Sequence, residues 1–245
     1  MAETFHLLEE ALRSDCEVKI VLAAESVRSA AEAHVRRLNA VKVVVLPDAL
    51  FQGISGTETS QGVMALVNPP AWRLEQLFRG NALVVVLDGL QDPGNAGAIV
   101  RAAEAFGATG AIFLKGTVSP YNPKTLRASA GSLFRVPYLH GVDAELARAA
   151  LRQNHVELFA GVPASRNGAV RSLAGVDLTG KCGLIIGNEA RGVDKELRSA
   201  ALDVSIPTVG VESLNAAVAA GIMLYEARRQ RAQALKERPL GAQRP

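Results

Sequence analysis

The chain is poor in aromatic residues, which make up 4% of its 245 residues, and this disfavours a binding surface built only from base-stacking rings. It holds two cysteines, Cys16 and Cys182, far apart and without paired ligand spacing. Each reads as a small buried hydrophobe in a reducing compartment rather than half of a disulfide framework or zinc knuckle. The four histidines, His6, His34, His140 and His155, form no motif with cysteines or carboxylates, and no metal is expected. No apolar run reaches the roughly 18 residues that span a bilayer. The opening residues lack a basic segment followed by a long apolar one, so no secretory signal is expected and the location reads as cytoplasmic. There is also no large excess of one charge. The net charge is +3, which excludes a histone-like charge binder but not an enzyme with a local basic surface.

What is present is an ample core: 49% of the residues are hydrophobic against 21% charged, which rules out wholesale disorder. Residues 3–13 carry Phe5, Leu8 and Leu12 at helical spacing. Short β-rich runs follow at 18–22, 41–46 and 62–67, with Ser26 expected to cap a helix and Pro47 to end a strand. Asn68-Pro69-Pro70 is a strong breaker. Up to residue 80 the chain has 8 basic and 10 acidic side chains, and beyond it 19 and 14, so the charge changes sign there. We expect a small α/β unit over residues 1–70, a linker helix within 71–80, and a larger unit over 81–245.

The larger unit opens with the apolar run 83–87, short enough for a buried parallel strand. Further strands are expected at 111–114, 156–160, 182–186 and 203–206. Helical patterns lie at 95–106, 143–153, 194–201 and from 214 to about 234. This alternation predicts an α/β domain with a mostly parallel sheet.

Three loops stand out. Residues 92–108 (DPGNAGAIVRAAEAFGA) follow a strand and open a helix, with Asn95 placed to cap it and Arg101 about two turns along. The glycines do not fit the dinucleotide fingerprint, and no acidic residue ends the next strand, so a nicotinamide enzyme is disfavoured. Residues 185–193 (IIGNEARGV) stop a strand at Gly187, where a missing side chain lets a ligand approach the backbone. From that turn Glu189 projects, either to orient the loop or to pair Arg191. Residues 205–226 (SIPTVGVESLNAAVAAGIMLYE) end a strand at Ile206-Pro207 and start a helix near Ser213, with Asn215 two residues on. Its small residues from Ala216 to Gly221 permit close packing.

Taken in order over nearly all of residues 83–230, these loops resemble the three signature motifs of the SpoU/TrmH branch of the SPOUT RNA methyltransferases. The first 68 residues resemble the small α/β substrate-binding domain that often precedes the catalytic domain there. Thr59-Ser60-Gln61-Gly62, Ser129-Ala130-Gly131-Ser132 and Val136-Pro137 support the likeness. Thr208 stands where a bulkier residue is frequent, and Ala216-Ala217 where Val-Ser is frequent.

The resemblance implies a C-terminal domain with a deep trefoil knot, which general topology rules would argue against. It implies S-adenosylmethionine as methyl donor, held by Gly187, Asn188, Ile206, Pro207 and Leu214. It further implies methyl transfer to a ribose 2′-hydroxyl of structured RNA. Large-subunit (23S) ribosomal RNA fits the two-domain layout best, followed by tRNA. A role in antibiotic resistance would look the same. Asn95, Arg101, Glu189, Ser213 and Asn215 match the family's polar catalytic positions. A guanidinium is a poor proton acceptor, so Arg101 is expected to hold a phosphate and stabilise the emerging alkoxide. RNA contacts are expected from Lys124, Arg127 and Arg135, and from the basic tail Arg228, Arg229, Arg231, Lys236 and Arg238. A homodimer packed through the C-terminal helix is implied, with Arg101 of one subunit near the donor of the other. The competing reading is a catalytically silent RNA-binding or ribosome-assembly protein. The five intact polar positions disfavour it.

Overall fold

The computed structural model describes residues 1–36, 41–57, 59–164 and 170–237. The N-terminal part contains β1 (Ala2–Glu3), α1 (Phe5–Leu12), β2 (Glu17–Ala24), α2 (Arg28–Val35), β3 (Lys42–Leu46), α3 (Asp48–Ile54) and β4 (Val63–Asn68). A short α4 (Leu74–Leu77) leads to β5 (Leu83–Asp88), α5 (Pro93–Ala105), β6 (Gly110–Leu114), α6 (Pro123–Ala128) and β7 (Tyr138–Val142). The chain continues through α7 (Ala144–Gln153), β8 (Glu157–Gly161), β9 (Arg171–Ser172), β10 (Cys182–Gly187), α8 (Lys195–Arg198), β11 (Leu202–Ser205) and α9 (Ala216–Lys236).

Among the described residues the strands form two sheets. The smaller has the order β1-β4-β2-β3, with β4 antiparallel to both neighbours and β3 parallel to β2. The larger has the order β7-β6-β5-β10-β8-β11-β9, and every pairing in it is parallel. Its central strands are apolar runs buried on both faces, as expected when helices cover a parallel sheet. From β5 the chain first winds outward through β6 and β7, then crosses to β8 on the other side, and β10 later fills the gap between β5 and β8. Crevices at such a reversal, beyond the carboxyl ends of the strands, are where open α/β sheets bind ligands. β10 pairs with β5 in unbroken register from Cys182 opposite Leu83 to Gly187 opposite Asp88, so the loops after β5 and β10 emerge side by side.

Several local expectations are corrected. Asn95 does not cap α5: Asp92 does, its carboxylate accepting the Asn95 N–H at 2.6 Å, with Pro93 at the first helical position. Ser213 does not start the last helix either. Asn215 caps it from an extended backbone, its Oδ1 accepting the Ala217 and Val218 N–H groups, and α9 therefore begins at Ala216. Ser26 caps no helix; its hydroxyl donates to Asp48 at 2.6 Å. The linker helix contracts to Leu74–Leu77, and the 194–201 helix to Lys195–Arg198. The α6 helix, the β7 strand and the two-residue strands β1 and β9 were not foreseen. Among the described residues no helix is long and apolar enough to cross a membrane.

Candidate active site

With Asp92 capping α5, the Asn95 side chain is free to meet Asn215, whose nitrogen is not used in its own cap. Asn95 gives its backbone N–H to Asp92 and, among the described residues, makes no side-chain bond within its own helix. Its Nδ2 donates to Glu189 Oε1 at 3.1 Å, and its Oδ1 accepts from Asn215 Nδ2 at 2.9 Å. The orientation is fixed by chemistry, because an ionised carboxylate only accepts, so the amide nitrogen of Asn95 must face Glu189. Asn215 does two jobs at once, capping α9 with its oxygen and bonding Asn95 with its nitrogen. The three loops singled out in the sequence thus meet in one hydrogen-bonded chain, Glu189–Asn95–Asn215.

Glu189 resolves its own alternative. Besides Asn95 it accepts the backbone N–H groups of Gln91 at 3.3 Å and Asp92 at 3.4 Å, and no Glu189–Arg191 ion pair is found among the described residues. It orients the loop after β5. Burial alone would raise its pKa, but its own backbone N–H, Asn95, Gln91 and Asp92 outweigh that, and the carboxyl lies below its ordinary value.

The 188–193 turn is fastened from both sides. Asn188 Nδ2 donates to the Gly89 carbonyl at 2.7 Å, while its Oδ1 accepts from Ala190 and Arg191. Its backbone exchanges both hydrogen bonds with Gly192, which adopts a left-handed φ of 72°. A side chain at Gly187 would collide with the Gly192 and Val193 backbone, so the reason for glycine here is the doubling back of its own loop. Asp88, half-buried at the end of β5, accepts the Asp194 N–H at 2.6 Å, and burial holds its carboxyl above the usual range despite that bond.

Beyond β10, β8 and β11 lies a cleft of about 690 Å³. Gly187, Asn188, Glu189, Ile206, Ser213, Leu214 and Asn215 all line it, together with Gly161, Val204 and Met223. Its lining mixes apolar side chains such as Val162, Ile186 and Leu214 with the charged Glu189, Arg191, Arg198 and Glu212. Pro207, Asn95 and Arg101 are not part of the lining. Arg101 is exposed on α5 and has no hydrogen bond or ion pair among the described residues. A second cavity of about 530 Å³, at the start of β8, holds none of the motif residues.

The basic residues fare differently from one another. Lys124 is exposed, and Asn122 caps its backbone N–H at the start of α6. Arg127 lies 4.0 Å from the buried Glu3 carboxylate. Arg135 is held by Glu104 and by Glu10, so the guanidinium expected to meet RNA is occupied by the protein's own carboxylates. Arg231 is turned inward onto the carbonyls of Asn81, Ala82, Leu178 and Gly180, and beside the Cys182 sulfur, so it anchors α9 rather than facing a ligand. Arg229 pairs with Glu226, whereas Arg228 and Lys236 are exposed, and Arg238 lies outside the described residues.

Residues 82–225 match the model of the SpoU rRNA methylase family. The chain belongs to the SpoU rRNA methylase family. Residues 1–65 of this SpoU chain match a second model, the MRM3-like substrate binding domain. It is 32% identical to the Bacillus subtilis 23S rRNA (guanosine(2553)-2′-O)-methyltransferase RlmP, over 93% of this chain and 88% of that protein. It is 35% identical to a Streptomyces viridochromogenes 23S rRNA (uridine(2479)-2′-O)-methyltransferase, over 80% of this chain and 70% of that one. Among solved structures it resembles the SpoU methyltransferase AviRb from Streptomyces viridochromogenes in complex with AdoMet. The TM-score is 0.83 at 28% identity, covering 95% of this chain and 90% of that one.

Proposed function

We propose that this SpoU chain transfers the methyl group of S-adenosylmethionine (AdoMet) to a ribose 2′-hydroxyl of 23S ribosomal RNA. The observation that carries this reading is the Glu189–Asn95–Asn215 chain at the mouth of the cleft, which unites polar groups from three distant segments. The relatives support it. Their names place the methyl group on a guanosine in one case and a uridine in the other, and the ribose is what the two nucleosides share.

The cleft suits the donor. Its volume falls within the roughly 300–1,000 Å³ of small-molecule sites, and it sets apolar residues such as Ile206, Leu214 and Met223 beside polar and charged ones, including Glu189 and Glu212. Gly187, Asn188, Ile206 and Leu214 would hold AdoMet, with Pro207 next to Ile206 but outside the lining, and the donor supplies a methyl group already activated on a sulfonium. The protein's part is positioning. Asn95 and Asn215, locked to one another and to Glu189, hold the rim of the cleft in one geometry, with Ser213 beside them. Arg101 binds the phosphate next to the reacting ribose and stabilises charge developing on the 2′-oxygen, while the proton leaves to solvent or a neighbouring group.

Arg101 lies outside the cleft of its own chain, and this supports a homodimer in which one subunit's Arg101 serves the other's donor. The exposed apolar residues Val218, Ile222 and Tyr225 on α9 are the matching surface. On the same reading residues 1–70 recognise RNA, 71–80 link, and 81–245 form the catalytic unit. The C-terminal segment is threaded as a deep trefoil knot, a reading supported by the placement of β10 between β5 and β8. Lys124 and Arg127 flank the RNA path, and the substrate implies a cytoplasmic location.

The test is incubation with radiolabelled AdoMet and separate pools of unmodified 23S ribosomal RNA and tRNA. Label enters the ribosomal pool. Donor binding with no label in either pool would instead favour the silent RNA-binding reading.

A further inference from the structure

Arg135 stands on the turn between α6 and β7, yet its three guanidinium nitrogens reach two different units of the molecule. Nε and Nη2 donate to the two oxygens of Glu104, at 2.5 and 3.0 Å, in a fork-to-fork pairing. Nη1 donates to Glu10, which lies on α1 of the N-terminal unit. Glu104 sits on α5, three residues and so about one turn beyond Arg101. The side chains of Glu10, Glu104 and Arg135 retain 15%, 33% and 35% of their exposure, so water screens this cluster less than an open surface pair.

The same seam is closed by shape. Gly131, left-handed with φ at 91°, lies where any side chain would collide with the Cβ and Cγ of Glu10, so α1 sits directly on the 129–132 turn. A second tie runs beside it. The buried Glu3 carboxylate accepts from the Ser55 and Thr57 hydroxyls and the Gly56 N–H, and Arg127 of α6 approaches it to 4.0 Å.

We propose that Glu10–Arg135–Glu104 is a positioning clamp. It fixes the RNA-recognising unit to the helix that carries Arg101, so that one ribose of the bound RNA, and not its neighbours, is presented to the cleft. The inference rests on the proposed methyl transfer to ribosomal RNA and adds to it the group that sets site selection. It also separates two roles for Arg135. As a clamp it needs Glu10; as an RNA contact it would gain from losing Glu10.

Glu10→Gln tests this, because it keeps the shape against Gly131 and removes only the charge. KM for a 23S ribosomal RNA fragment is expected to rise about tenfold. Turnover and AdoMet affinity stay within about twofold, methylation spreads to neighbouring nucleotides, and small-angle scattering shows a larger radius of gyration than in the native protein. An unchanged or lower KM would overturn the clamp, since that is what a guanidinium released toward phosphate gives. A joint loss of turnover, AdoMet affinity and thermal stability would also overturn it, by showing a general structural defect. If the native protein methylates no ribosomal RNA, the parent reading fails. The scattering comparison still decides the clamp: an unchanged radius of gyration refutes it.

Discussion

Asn215 donates its side-chain amide to Asn95 at 2.9 Å across 120 residues of sequence, while its oxygen caps the helix it begins. This one contact joins the start of α5 to the start of α9. Removing either partner leaves the other amide without its mate at the mouth of the cleft. Asn95→Ala is expected to lower turnover about a hundredfold, the scale seen when one positioned donor is lost. AdoMet affinity should change little, since Asn95 does not line the cleft. Calorimetric titration beside single-turnover methyl transfer checks both halves.

Gly187→Ala is expected to weaken AdoMet binding at least tenfold. The added methyl collides with the Gly192 and Val193 backbone rather than with a movable side chain, so the turn itself must shift. Overpacking of this kind costs about 1–3 kcal/mol. A fall in urea midpoint together with the loss of donor affinity is the expected pair of results.

Gly97→Ala sets two effects against each other. Alanine gains about 1 kcal/mol over glycine in a helix interior. Here, however, the methyl would meet the Thr125 carbonyl, Ala128 and the Ser129 N–H, where α5 and α6 touch backbone to backbone. The collision wins, and the variant is expected to melt several degrees lower. A raised melting temperature would show that the two helices separate at little cost.

The Glu189 carboxyl lies below its ordinary value in the folded chain. The stability it contributes is therefore fully present above the unfolded value of about 4.3 and is lost as pH falls through the lower folded value. Native protein should lose stability across that acid window more steeply than Glu189→Gln, measured by urea denaturation from pH 7 downward. Parallel curves would mean that the bonds to Gln91, Asp92 and Asn95 add nothing to folding.

Much of this was legible in the residues. Apolar runs such as 83–87 and 182–186 are strands because only a doubly covered parallel sheet buries them fully, and the alternation of runs located most of the larger unit. The three loops were found because glycines and polar residues interrupt that pattern. What was not legible depended on competition between neighbours. Asn95 and Ser213 are acceptable caps, but Asp92 and Asn215 lie better placed and win. The Asn-Pro signal at 122–123 could have revealed α6, whose cap is Asn122 and whose first residue is Pro123. Arg135 and Arg231 read as surface cations because charge in a sequence carries no address. The acceptors that claim them, Glu104 and Glu10 for Arg135 and the carbonyls near Leu178 for Arg231, come from segments 31 or more residues away.

The central claim is that the Asn95–Asn215 site methylates ribose. It is tested most directly by alkaline cleavage of 23S ribosomal RNA treated with AdoMet and either native protein or Asn215→Ala. The account predicts a single gap in the native ladder, where a 2′-O-methyl group blocks hydrolysis, and no gap with the variant. A continuous ladder from RNA that has nevertheless taken up methyl label would contradict it, because the methyl group would then lie on a base.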